Sequence, residues 1–196
     1  MIECLAYSGI TTGGPGGSGF YQYGPSLTVS RGQMASFIVQ ELDIAERLGT
    51  GDGLGRLGAF DGGNDFVDVG PDNVHLEAIN RLARADVVLG GPDGRPSNEF
   101  GPNLPVTRAQ MATFLNRAHR LLTGKALEGT EDHFTDDDRS AHEANIDAIA
   151  SAGIAVGDGR WSYGPEQFVT RGQMAAFVVR HRAVLQEAGE IIPLMG

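Results

Sequence analysis

The feature that most constrains this chain is a fifteen-residue pattern that occurs three times without a gap. Tyr23-Gly24-Pro25 leads to Val29-Ser30-Arg31-Gly32-Gln33-Met34-Ala35-Ser36-Phe37. Phe100-Gly101-Pro102 leads to Val106-Thr107-Arg108-Ala109-Gln110-Met111-Ala112-Thr113-Phe114, and Tyr163-Gly164-Pro165 leads to Val169-Thr170-Arg171-Gly172-Gln173-Met174-Ala175-Ala176-Phe177. Such self-similarity means a repeat architecture, in which one unit is too small to bury a core alone and gains one by packing on its neighbours.

A second segment repeats upstream of each pattern. Ile146 to Ile154 aligns with Ile2 to Ile10 and with Ile79 to Val87. Copies two and three also share a lead-in, Phe66-Val67-Asp68 and Phe134-Thr135-Asp136, with His75 and His142 placed four residues before the aligned isoleucine. Copy one has no lead-in, since Ile2 aligns with Ile146, twelve residues after Phe134. A truncation or a misplaced start is therefore expected at Met1. The expected boundaries are 1–48 for a shortened repeat one, 49–65 for a Gly/Asp-rich linker and 66–122 for repeat two. A linker at 123–133, repeat three at 134–185 and a tail at 186–196 complete the chain.

Periodicity assigns each repeat a helix, a long loop and a second helix. Leu76, Ile79, Leu82 and Ala83 form the apolar stripe of the first helix. Gly9 and Gly153 suit the left-handed position just beyond its end, where copy two has Asp86. Glycine is abundant, 29 of 196 residues, and concentrates in the loops. The second helix starts after Ser30, Thr107 and Thr170; each is an N-cap, and Gln33, Gln110 and Gln173 three residues later complete capping boxes. Met111, Phe114, Leu115, Ala118 and Leu122 mark its buried face. The fold class is mostly α: three tandem helix–loop–helix units.

Charge and composition remove several function classes. With 15 Lys+Arg against 25 Asp+Glu, the net charge of −10 opposes nucleic-acid binding, which depends on clustered cations against phosphate. Lys125 is the only lysine. No apolar run approaches the roughly 18–20 residues needed to cross a bilayer, so no membrane insertion is expected. Met1 to Ile10 do not read as a signal peptide, so an export signal is expected outside this chain. Cys4 is the single cysteine, which excludes an internal disulfide and a Cys-rich zinc site. No nucleophile elbow, zinc-protease or P-loop motif is present; no catalytic residue, metal ligand or cofactor is assigned, and the chain is read as not an enzyme.

The candidate ligand-binding residues follow from the helix starts. Arg31, Arg108 and Arg171 each occupy the first helical position, where the macrodipole disfavours a cation by roughly 0.3–1 kcal/mol. A guanidinium beside unpaired N–H groups makes a site for carboxylate or phosphate. The alternative is pairing with an acidic residue of a neighbouring repeat, with Asp68 and Asp136 as partners. Capping fully accounts for Gln33, Gln110 and Gln173, which also stand where they would line a polar groove. Trp161, the sole tryptophan, either stacks on a sugar ring or anchors its loop. His75 and His142 read as structural residues near helix starts. The aspartates of 132–138 and 61–68 lack EF-hand spacing and read as solvated loop or capping groups rather than calcium ligands.

These motifs resemble the S-layer homology (SLH) family over residues 2 to about 185. The resemblance implies a pseudo-threefold module with grooves between neighbouring repeats. It also implies non-covalent anchoring of an exported protein to cell-wall polysaccharide, in some cases with pyruvylated sugars. The family's groove motif is Thr-Arg-Ala-Glu, whose arginine falls on Arg31, Arg108 and Arg171. Here the Glu is Gln in every copy, as in an actinobacterial-type subgroup, and the Ala is Gly at Gly32 and Gly172. The cysteine often found before the loop proline in that subgroup is replaced by Gly24, Gly101 and Gly164. The expected protein is thus a monomeric, non-catalytic module of a larger surface protein, bound at the cell wall to an anionic polysaccharide. The competing expectation is a protein-interaction or assembly module that binds no sugar.

Overall fold

A computed structural model describes residues 14–15, 21–49, 57–91 and 97–192. A two-residue antiparallel ladder joins β1 (Gly14–Pro15) to β2 (Tyr21–Gln22). Five helices follow: α1 (Arg31–Leu48), α2 (Leu76–Arg84), α3 (Arg108–Thr123), α4 (Glu143–Ser151) and α5 (Arg171–Glu187). The upstream segment of copy one, with Ile2 to Ile10, lies outside the described residues.

The helix starts form as their sequences dictate. Ser30, Thr107 and Thr170 each accept the backbone N–H of the glutamine three residues on. Each glutamine Oε1 in turn accepts the N-cap N–H, at 3.0–3.3 Å. His75 and His142 are the N-cap residues of α2 and α4. Beyond those helices, Gly153 (φ 71°) and Asp86 (φ 56°) take the left-handed conformation that reverses the chain.

Each described first helix packs on the second helix of the preceding repeat, α2 on α1 and α4 on α3. The shared core carries Met34, Met111, Met174, Ile79, Ile146, Leu82 and Ile149, all fully excluded from water. A polar clasp adds direction to the first pair: Arg81 makes a bidentate contact to Asp43 at 3.0 and 2.6 Å. Below the helix starts, α1 and α5 are tied by a buried ion pair between Glu41 and Arg182.

Closure comes from the three valines of the repeated pattern. Val29 N–H donates to the Val169 carbonyl, Val169 N–H to Val106, and Val106 N–H back to Val29, at 2.9–3.0 Å. All three side chains are buried completely. The turn before each valine is shaped by glycine with positive φ at Gly24, Gly101 and Gly164, a conformation that other residues adopt only with strain. The tail expected at 186–196 folds back in part: Ile191 is buried against Ala45 and Leu185, and bridges Gly49.

Candidate ligand groove

Each arginine of the repeated pattern crosses to the turn of the next repeat. Arg31 N–H donates to the Leu104 carbonyl and Gly32 N–H to Pro102, at 2.8 and 2.9 Å. The side chain follows: its Nε donates to the Phe100 carbonyl at 2.7 Å, and the guanidinium lies 4.7 Å from the Phe100 ring centre and 5.6 Å from that of Phe114. Arg108 repeats this with the Tyr163 carbonyl at 2.7 Å, between the rings of Tyr163 and Phe177. Arg171 closes the cycle onto repeat one, donating to the Tyr23 carbonyl at 2.7 Å between Tyr23 and Phe37. A cation disfavoured by the helix dipole is thus stabilised by a carbonyl acceptor and two aromatic faces.

Asp68 and Asp136 act on the same turns from the other side. They do not take the guanidinium of Arg31 or Arg108, as an ion-pair reading would have it. Asp68 accepts the N–H groups of Phe100 and Gly101, both at 2.7 Å. Asp136 accepts those of Tyr163 and Gly164 and the Ser162 hydroxyl. Burial works against the Asp136 carboxylate, yet these hydrogen bonds hold it below its usual range. Each turn is therefore clamped by a carboxylate on its N–H groups and an arginine on its carbonyl.

The three arginines differ in depth. Arg31 is 2% exposed and Arg108 7%, while Arg171 is partly exposed. Burial pulls Arg31 down to about 10, opposed by the charge of Asp68, so it stays cationic at neutral pH. Among the described residues its Nη2 has no hydrogen-bond partner. A small, partly open pocket of about 60 Å³ borders this arginine, lined also by Gly90, Gly91, Gln110, Arg117 and His142 among others. It draws on repeat one for Arg31, repeat two for the loop and α3, and repeat three for His142.

Within the groove, His142 Nδ1 pairs with the Thr113 hydroxyl at 2.7 Å. Its pKa is lowered first by burial and then by Arg117, with Glu166 opposing, so the ring is neutral at pH 7. Arg117 is half-buried and reaches the Val87 carbonyl at 3.4 Å. Gln110 keeps its capping bond and also faces the groove. Gln33 and Gln173 keep theirs beside Arg31 and Arg171. Trp161 is not brought to this groove: its carbonyl accepts the Thr135 N–H at 2.9 Å, its backbone has φ 64°, and the residue is 73% exposed. Two groove residues are recurrent in the repeats, yet only the packing shows that they line a site. Arg117 lies one turn from Thr113 and two from Gln110 on α3, and recurs as Arg180 in copy three while copy one has Gln40. His142 joins the groove because α4 packs on α3.

With this geometry in place, residues 65–112 and 133–175 match the S-layer homology domain. Two of the three repeats are S-layer homology domains. These domains occur in S-layer proteins and cell-surface enzymes, where they are non-catalytic modules known for anchoring to the cell wall. The chain is 28% identical to the Exoglucanase XynX of Acetivibrio thermocellus over 160 residues, 80% of this chain and 13% of that protein. It is 26% identical to the Amylopullulanase of Thermoanaerobacterium thermosulfurigenes over 87% of this chain and 8% of that protein. With the S-layer protein of Bacillus licheniformis the identity is 27%, over 60% of this chain and 13% of that protein. The chain therefore spans only a small fraction of the relatives it matches. Among the described residues no helix is long and apolar enough to cross a membrane.

Proposed function

We propose that all three repeats form one SLH module of the Gln-containing type, which anchors a larger surface protein to an anionic cell-wall polysaccharide. The observation that carries this reading is the buried, unpartnered Nη2 of Arg31 beneath a groove that also presents Arg117, Gln110 and His142. Two cations beside neutral donors suit a carboxylate-bearing sugar such as a pyruvylated one. The overall charge of −10 repels a polyanion at long range, so these local cations supply the attraction within a Debye length. Arg108 and Arg171 are assigned the same role at the two equivalent junctions, with Gln33 and Gln173 beside the helix starts and Trp161 as a sugar-stacking face near the third repeat's loop. No catalytic step is assigned to the module.

A second reading, assembly with other proteins, draws on the exposed apolar residues Leu27 (64%), Leu104 (48%) and Phe168 (51%), which flank the valine ring. Co-sedimentation with protein-free cell-wall sacculi, before and after extraction of their polysaccharides, separates the two. Anchoring predicts binding that is lost on extraction and weakened about tenfold or more by Arg117→Glu, which loses a groove cation without emptying the core; Gln110→Ala has a smaller effect. A folded protein that ignores intact walls, or binds them equally after extraction, sinks the glycan reading.

A further inference from the structure

The lead-in loop of repeat three carries a site that the anchoring function does not use. We propose that Asp132, Asp137 and Asp138 bind a calcium ion. One carboxylate oxygen from each lies within 4.8 Å of the other two, which suits ligands of a single oxygen-coordinated cation. An acidic cluster on an exposed loop would mean little, but Asp137 is 1% exposed and, among the described residues, neither of its carboxylate oxygens has a hydrogen-bond partner. A buried carboxylate left so is costly unless a charge compensates it.

Repeat two supplies the internal control. Aligned on Phe66 and Phe134, Asn64 stands at the place of Asp132, Val69 at that of Asp137 and Gly70 at that of Asp138. There the loop is closed by the Asn64 amide, which donates to the Val69 carbonyl at 2.6 Å, and plugged by the buried Val69 side chain. In repeat three the amide donor and the apolar plug are both replaced by carboxylates. Past a one-residue shift in the loop, aligned on Ile79 and Ile146, Asn80, whose Oδ1 accepts the Asp65 N–H, becomes Asp147, accepting the His133 N–H. Burial first, and then the charges of Asp147, Asp132 and Asp136, push the Asp137 carboxyl up to about 6, as expected of anions crowded together without their cation. The only imidazole next in sequence, His133, is engaged with the Ser151 hydroxyl at 2.8 Å, leaving a hard, all-oxygen donor set that favours calcium over zinc.

The test uses the whole chain at neutral pH, stripped of metal with chelator and then titrated with CaCl2 or MgCl2. Thermal unfolding should shift upward by about 5–10 °C at about 10 mM calcium and by much less in magnesium, for an affinity in the range of extracellular modules. Calorimetry should give one calcium per chain. The variant Asp132→Asn/Asp137→Val/Asp138→Gly, which installs the residues of repeat two, should fold, unfold no earlier than wild type in chelator, and ignore calcium. No calcium response in wild type, an equal response in the triple variant, or an equal response to magnesium would overturn the assignment. Sacculus binding is not the readout, so failure here is distinct from failure of the anchoring reading.

Discussion

Repeats two and three share a frame almost residue for residue, yet they satisfy its polar groups differently. In repeat two the aromatic of the turn is Phe100, buried completely, and Arg31 reaches it with Nη2 left over. In repeat three the aromatic is Tyr163, whose hydroxyl returns a hydrogen bond to the Arg108 carbonyl at 2.9 Å, and the Arg108 guanidinium also contacts the Val156 carbonyl at 3.4 Å. The lead-in loops diverge in parallel: an amide clasp and a valine in one, carboxylates in the other. The common frame is backbone geometry, which tolerates such exchanges. What remains unsatisfied on it differs between the two repeats, Arg31 Nη2 at one turn and the Asp137 carboxylate at the other lead-in loop.

The largest expected effect breaks the frame itself. Arg31→Ala removes the donor to the Phe100 carbonyl and empties the space between Phe100 and Phe114, at a cost of about 3–5 kcal/mol. Arg108→Ala should cost a similar amount by loss of the same contacts to Tyr163 and Phe177; urea denaturation of both variants measures it. A much smaller loss at either site would mean that the turn holds without its arginine.

An intermediate effect separates the lead-in loops by pH. With metal removed, the folded state holds the Asp137 proton up to about pH 6, whereas the unfolded chain releases it near 3.8. A raised folded pKa contributes stability below the unfolded value and loses it as pH rises through the folded one, so this term weakens from pH 3.8 to about 6. Asp137→Val should flatten that part of the stability–pH curve, as Val69 already does in repeat two. Denaturant melts at pH 4, 5, 6 and 7 in chelator compare the two; parallel curves would remove Asp137 as the titrating group.

The smallest effect exchanges the aromatics. Tyr163→Phe forfeits one buried hydrogen bond and should cost about 0.5–1.5 kcal/mol. Phe100→Tyr offers the Arg31 carbonyl the bond that Tyr163 gives Arg108 and Tyr23 gives Arg171, and should gain up to about 1 kcal/mol. A destabilised Phe100→Tyr would show that the first junction is packed too closely to hold the hydroxyl.

What the sequence made legible is local. Capping boxes at Ser30, Thr107 and Thr170 depend on residues three apart, and the helix ends at Gly153 and Asp86 on single residues able to adopt positive φ. The destination of the arginines was not legible, because Arg108 meets Tyr163 only after the ring has closed. Asp68 and Asp136, the alternative partners that the sequence offers the arginines, do belong to the same turns. They hold backbone N–H groups instead, since those lie nearer than the guanidinium. The unpartnered state of Asp137 was hidden for a similar reason: only its alignment with buried Val69 reveals that the side chain points inward.

The valine ring has a consequence for how the module yields. An open array of repeats frays from its ends, because its terminal units touch a single neighbour. Here the bond from Val29 to Val169 gives the first unit two neighbours and the last unit two as well. Detaching any one unit therefore ruptures two bonds of the ring at once, so a pull along the chain meets two backbone links where an open array would offer one.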